Sequence, residues 1–193
     1  MKLVIVKYNA GNIHSVKLAF KRLGIEARVS DDPAEIRAAD KVVFPGQGEA
    51  ASAMRYLRER NLDKLLGDLT QPFLGICLGL QLMCRHSEEG NTDMLNLFPA
   101  DVKKFPSGLK IPHMGWNSVA NVSGRLFDGL GDGSYFYFVH SYYAELHDDC
   151  IARCAYGLTF SAALQHKNYY AVQFHPEKSA ANGEKLLRNF LEL

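Results

Sequence analysis

The chain has 193 residues, 47% of them hydrophobic, and its 22 Lys and Arg against 21 Asp and Glu give a net charge of +1. At that length a single domain over 1–193 with a substantial core is expected. The balanced charge excludes a chain-wide attraction to nucleic acid or a membrane surface, and no apolar run reaches the roughly 18 residues of a transmembrane helix.

The opening MKLVIVKYNAGN has too short an apolar run, and no small-residue cleavage site, for a signal peptide. It reads as a buried strand over 2–8, and a cytosolic location is expected. Residues 12–24 read as an amphipathic helix closed by Gly24, with Val16, Ala19, Phe20 and Leu23 on one face. Strands follow at 26–30 and at 40–46, the second stopped by Pro-Gly. A helical stretch covers about 49–69, and Pro72 to Ile76 forms a fourth strand. Apolar strands alternating with helices predict a parallel sheet covered on both faces.

Turn signals crowd residues 88–134. Strand-like runs then occupy 135–140, 151–156, 161–166 and 169–174, with HKN as a hairpin turn between the last two, before a helix at 182–192. The fold class is α/β: an open, mostly parallel sheet flanked by helices, with an antiparallel extension in the second half.

The cysteines are Cys77, Cys84, Cys150 and Cys154, in no zinc-binding spacing and with no C-x-x-C. Cys77 and Cys84 stand about two helical turns apart, roughly 10 Å, too far for a disulfide. Cys84, Cys150 and Cys154 read as reduced core thiols. Cys77 differs. In FLGICLGLQLM it falls between two glycines, where a buried strand becomes a helix. G-x-Cys-x-G has the form of a nucleophile elbow. Such a turn exposes the sulfur at a strand's carboxyl end, puts it at a helix N-terminus that favours thiolate, and frees the Leu78 N–H to hold an oxyanion.

A thiol nucleophile needs a base. His175 ends an apolar strand in YYAVQFHPEKS, with Glu177 two residues on. Pro176 restricts His175 to an extended backbone, so the carboxylate stays near the imidazole and can fix its tautomer. Plainer readings stand beside these: a chance G-x-C-x-G in a glycine-rich core, and a surface His-Pro-Glu turn. His14 and His86 fall on expected helices, His147 and His166 in polar turns. His113 and His140 have apolar and aromatic neighbours, as site-lining residues would.

GICLG-L-Q together with FHPE resembles the class I, triad-type glutamine amidotransferases, which release ammonia from glutamine through a γ-glutamyl thioester. GNIHSV, FPGQGEA, IPHMGWN, VHSYY and QFHPEKS, in order over nearly the whole chain, are similar to the family of glutamine amidotransferase subunits of imidazole glycerol phosphate synthase. The resemblance implies Cys77 as nucleophile, His175 as base and Glu177 as its orienter. It implies a second oxyanion donor at the Gln47 backbone N–H, with Gly46 and Gly48 freeing that turn. It puts the amino-acid end of L-glutamine against Gln81, the main chain of Ser141 and Tyr142, and Gly48. It implies no cofactor and no metal.

The partner implied is a separate (β/α)8-barrel cyclase subunit that receives the ammonia, with Asn12, Met114, Trp116, Asn117 and Lys178 as interface candidates; Trp116 also admits a core reading. Two departures stand out: many family members carry valine at Gln47, and often arginine at His14. The alternatives are an amidotransferase subunit of another synthase, which PHMGWN opposes, and a non-catalytic binding subunit, which an intact Cys77, His175 and Glu177 opposes.

Overall fold

The computed structural model describes residues 1–9 and 11–193. In chain order the elements are β1 (Leu3–Val6), α1 (Ile13–Arg22), β2 (Arg28–Ser30), α2 (Pro33–Arg37), β3 (Lys41–Phe44), α3 (Ala50–Glu59), α4 (Leu62–Gly67), β4 (Phe73–Ile76) and α5 (Leu78–Met83). Then follow β5 (His86–Ser87), β6 (Thr92–Asp93), β7 (Asp101–Lys104), β8 (His113–Ala120), β9 (Tyr135–His140), β10 (Tyr142–Ala144), β11 (Cys150–Ala155), β12 (Thr159–His166), β13 (Tyr169–Val172) and α6 (Ala180–Glu192).

Nine strands form one sheet in the order β2-β1-β3-β4-β13-β12-β11-β8-β9. The first five run parallel. The rest pair antiparallel. Period-two alternation sends successive side chains of β1 to opposite faces. Leu3 and Ile5 pack with Val16 and Phe20 of α1 and Leu186 and Phe190 of α6. Val4 and Val6 pack with Ile36, Leu57, Leu66 and Leu80 of α2 to α5. Both faces are dry, which is why β1 and β4 carry no polar side chain and β3 none after Lys41.

Several expectations are corrected. The helical stretch expected at 49–69 is two helices, because Asn61 adopts a left-handed φ of 53° between them. A short helix, α2, was not anticipated; Pro33 opens it and the Asp32 side chain accepts from the Ala34 and Glu35 N–H groups. His86 lies on β5, not a helix, and His166 ends β12 rather than lying in a turn. The turn-rich stretch at 88–134 also contains the eight-residue β8. A second, four-stranded sheet runs β10-β7-β5-β6.

The largest surprise is β13. It hairpins with β12, yet on its other edge it pairs parallel with β4, with Tyr169 opposite Phe73 and Val172 opposite Ile76. Residues 73–76 and 169–172 thus end level with each other. Cys77 and Gln173, the next residues of the two strands, are neighbours. Above them the chain leaves β9 at His140 and enters β10 at Tyr142, so Ser141 marks a switch from the large sheet to the small one. No helix among the described residues is long and apolar enough to cross a membrane.

Candidate active site

Cys77 has φ 54° and ψ −107°, a strained conformation for a residue with a side chain. Close packing enforces it. A Cβ on Gly79 would lie 1.9 Å from the Phe44 carbonyl oxygen, and one on Gly75 would lie 2.5 Å from Met83 Sδ. The two glycines let the start of α5 press directly onto β3 and β4. The Cys77 N–H donates to the Val172 carbonyl at 2.8 Å. Its Sγ stands 3.8 Å from the Val139 carbonyl oxygen and 3.8 Å from Gln173 Nε2.

His175 is wholly buried. Its N–H donates to the Tyr137 carbonyl, and its own carbonyl accepts from Ser179 Oγ at 2.6 Å. Its backbone is extended, as the following proline demands. Glu177 Oε1 lies 2.7 Å from His175 Nδ1, with both side chains fully enclosed. A carboxylate accepts, so Nδ1 carries a hydrogen, and Nε2 is left without a hydrogen-bond partner. Burial works against the imidazolium, but the thiolate charge of Cys77 and the Glu177 carboxylate outweigh it and hold His175 well above the ordinary histidine range.

The Asn12 side chain reaches this pair. Its Nδ2 donates to Glu177 Oε1 and lies 3.4 Å from His175 Nδ1.

A cavity of about 330 Å³ opens in front of Cys77, the low end of the range for small-molecule sites. Every residue expected around the substrate lines it: Gln47, Gly48, Leu78, Gln81, Ser141 and Tyr142. Glu89, Pro112, Val139 and His140 complete the wall. The Gln81 Nε2 donates to the Tyr142 carbonyl at 2.9 Å and to Gln173 Oε1 at 3.1 Å. Glu89 accepts from the Ala50 N–H, and burial raises its carboxyl above the usual range. The turn of Gln47 is pinned on both sides, with Tyr8 Oη donating to the Pro45 carbonyl and the Gly11 N–H to the Gln47 carbonyl.

Met114 and Trp116 stand 63% and 53% exposed on one face of β8, which excludes the core reading of Trp116. Lys178 is exposed, while Asn117 faces the other way and donates to the Ala155 carbonyl. Glu89 and Gln173 were not singled out from the sequence. Nothing local marks Glu89, and Gln173 lay in plain view in QFHPE but reads there as one more strand residue.

Residues 4–193 match the family model for glutamine amidotransferase class-I. The chain belongs to the class I glutamine amidotransferase family. It is 53% identical to imidazole glycerol phosphate synthase subunit HisH of Bacteroides thetaiotaomicron and 52% identical to that of Escherichia coli K12, in each case over the full length of both chains. Two crystal structures of glutamine amidotransferases share the fold. One has a TM-score of 0.77 at 22% identity, covering 98% of this chain and 97% of that one. The other, from Thermotoga maritima, has a TM-score of 0.67 at 18% identity, covering 100% and 83%.

Proposed function

We propose that this amidotransferase is the glutamine-hydrolysing subunit of an imidazole glycerol phosphate synthase in histidine biosynthesis, acting as one domain over 1–193. It delivers ammonia to a separate (β/α)8-barrel cyclase subunit. The full-length identity to the HisH subunits supports the pathway. The observation that carries the chemistry is the free Nε2 of a buried His175 whose Nδ1 is pinned by Glu177, beside a strained Cys77.

Cys77 gives its proton to His175 Nε2 to form a thiolate–imidazolium pair, and the Cys77 thiolate attacks the side-chain carboxamide carbon. The same nitrogen returns that proton to the leaving nitrogen, ammonia departs, and water cleaves the γ-glutamyl thioester to glutamate. The backbone N–H groups of Gln47 and Leu78 receive the oxyanion. Gln81 has committed both amide hydrogens to the protein, so its carbonyl oxygen and the Glu89 carboxylate are suited to the substrate's α-ammonium, beside the main chain of Ser141 and Tyr142 and next to Gly48. Met114, Trp116 and Lys178 face the cyclase.

Cys77→Ala tests this reading: in the complex it abolishes glutamine-dependent synthesis and leaves ammonia-dependent synthesis largely intact. Equal glutaminase activity in wild type and variant would defeat the mechanism. Trp116→Ala weakens the complex by about 2 kcal/mol or more, as a central aromatic anchor does, measured by titration with the partner. The isolated chain is a poor glutaminase, and partner binding raises kcat more than it lowers KM.

A further inference from the structure

Tyr142 contributes a main-chain carbonyl to the wall of the cavity, and that oxygen can only accept. Two donors meet on it: Gln81 Nε2 at 2.9 Å and His140 Nδ1 at 2.7 Å. Each contact fixes the next group outward. Because the Gln81 atom facing the carbonyl is its nitrogen, Gln81 also donates to Gln173 Oε1 at 3.1 Å. The Gln173 amide cannot be turned around without setting nitrogen against nitrogen, so its Nε2–H points at Cys77 Sγ, 3.8 Å away.

On the other arm, a hydrogen on His140 Nδ1 makes His140 Nε2 an acceptor. It receives His113 Nδ1–H at 3.0 Å, and His113 Nε2 in turn receives Asn117 Nδ2–H at 3.3 Å. Both histidines are buried among Phe105, Phe138, Tyr156 and Phe160. That dry surround pushes His113 down to about 4 and His140 to about 3, so each keeps one donor and one acceptor nitrogen at neutral pH.

We propose that Gln173 is a further catalytic residue, donating its amide N–H to the Cys77 sulfur, and that Gln81 orients it, while His140 and His113 are positioning residues that hold in place the Tyr142 carbonyl to which Gln81 donates. The thiolate form, rich in electron density, gains more from this donor than the thiol does. The inference rests on the reading of Cys77 as nucleophile. It also explains a buried glutamine beside the elbow that packing alone would fill with an apolar residue.

The test is alkylation of Cys77 by iodoacetamide in the full chain at pH 7, followed by peptide mass spectrometry, with melting temperature recorded alongside. Gln173→Met, similar in size but without the donor, slows alkylation by about tenfold or more. Gln173→Glu, whose carboxylate faces the sulfur, slows it further. His140→Phe slows it less than either, and His140→Asn, which keeps an amide N–H near the position of Nδ1, recovers most of the loss. Folded Gln173 variants that alkylate at the wild-type rate would overturn the proposal. A measurement on the unaltered protein stands independently of any folding defect: ¹⁵N imidazole spectra show both His113 and His140 protonated at Nδ1 only. A hydrogen on Nε2 of either breaks the directed chain and overturns its positioning role. Labelling of wild-type Cys77 by a γ-diazoketone analogue of glutamine separates the two ideas. Its failure removes the nucleophile reading, whereas the ranking of the Gln173 variants reports on the hydrogen bond alone.

Discussion

Cys77 and His175 stand at the ends of adjacent parallel strands, β4 and β13, yet they are held by different forces. Cys77 is held by excluded volume. Gly75 and Gly79 bring strand and helix into backbone contact, and the residue between them has no room for a relaxed conformation. His175 is held by polar bonds, to Tyr137, Ser179 and Glu177, with Asn12 bracing the carboxylate. In the proposed mechanism the nucleophile must not move, which suits an arm built from contacts that tolerate no added atom. In the same proposal the base must carry a proton and give it back. Its arm is built from groups whose charge and hydrogen-bond direction matter more than their volume.

The sharpest break in the polar arm is His175→Ala. It removes the proton carrier and lowers kcat for glutamine by about 10²–10⁴-fold, read by steady-state glutaminase assay on the complex. For the steric arm, one methyl group suffices. Gly79→Ala sets a Cβ against the Phe44 carbonyl and costs about 3 kcal/mol of stability, seen as a lower urea midpoint. Gly131→Ala, where nothing lies within 4 Å of the added carbon, stays within about 0.5 kcal/mol. If the two alanines behaved alike, the steric account of the elbow would be wrong.

Glu177→Gln keeps the shape of the polar arm and removes its charge. It lowers kcat by about tenfold, near the cost of one charge-assisted hydrogen bond. Because the Glu177 charge raises the proton affinity of His175, its loss also moves the alkaline limb of the pH–rate profile to lower pH. The smallest effect is at the brace: Asn12→Ala lowers kcat a few-fold, about 0.5–1 kcal/mol. Asn12→Asp, which sets a second carboxylate against Glu177, does worse than alanine in the same assay. The reverse order would show that Asn12 acts by volume, not by donation.

By itself the sequence determined what neighbours along the chain can determine. Apolar strands and amphipathic helices in the first half mark a parallel sheet, because burial on both faces leaves a continuous apolar run. G-I-C-L-G marks an elbow, because glycine spacing is a local steric device. Phe-His-Pro-Glu brings the imidazole and carboxylate together, because Pro176 constrains the backbone between them. Tertiary structure alone decided how these pieces meet. The parallel seating of β13 against β4 is invisible in a segment that also reads as half of a hairpin, and it is that register which aligns Gln173 with Cys77, 96 residues away. Asn12 reaches Glu177 across 165 positions, and Gln81 reaches the Tyr142 carbonyl across 61. Each of these side chains is polar and ordinary in its own sequence neighbourhood. Hydrogen bonds depend on distance and direction in space, and only the packed sheet supplies both.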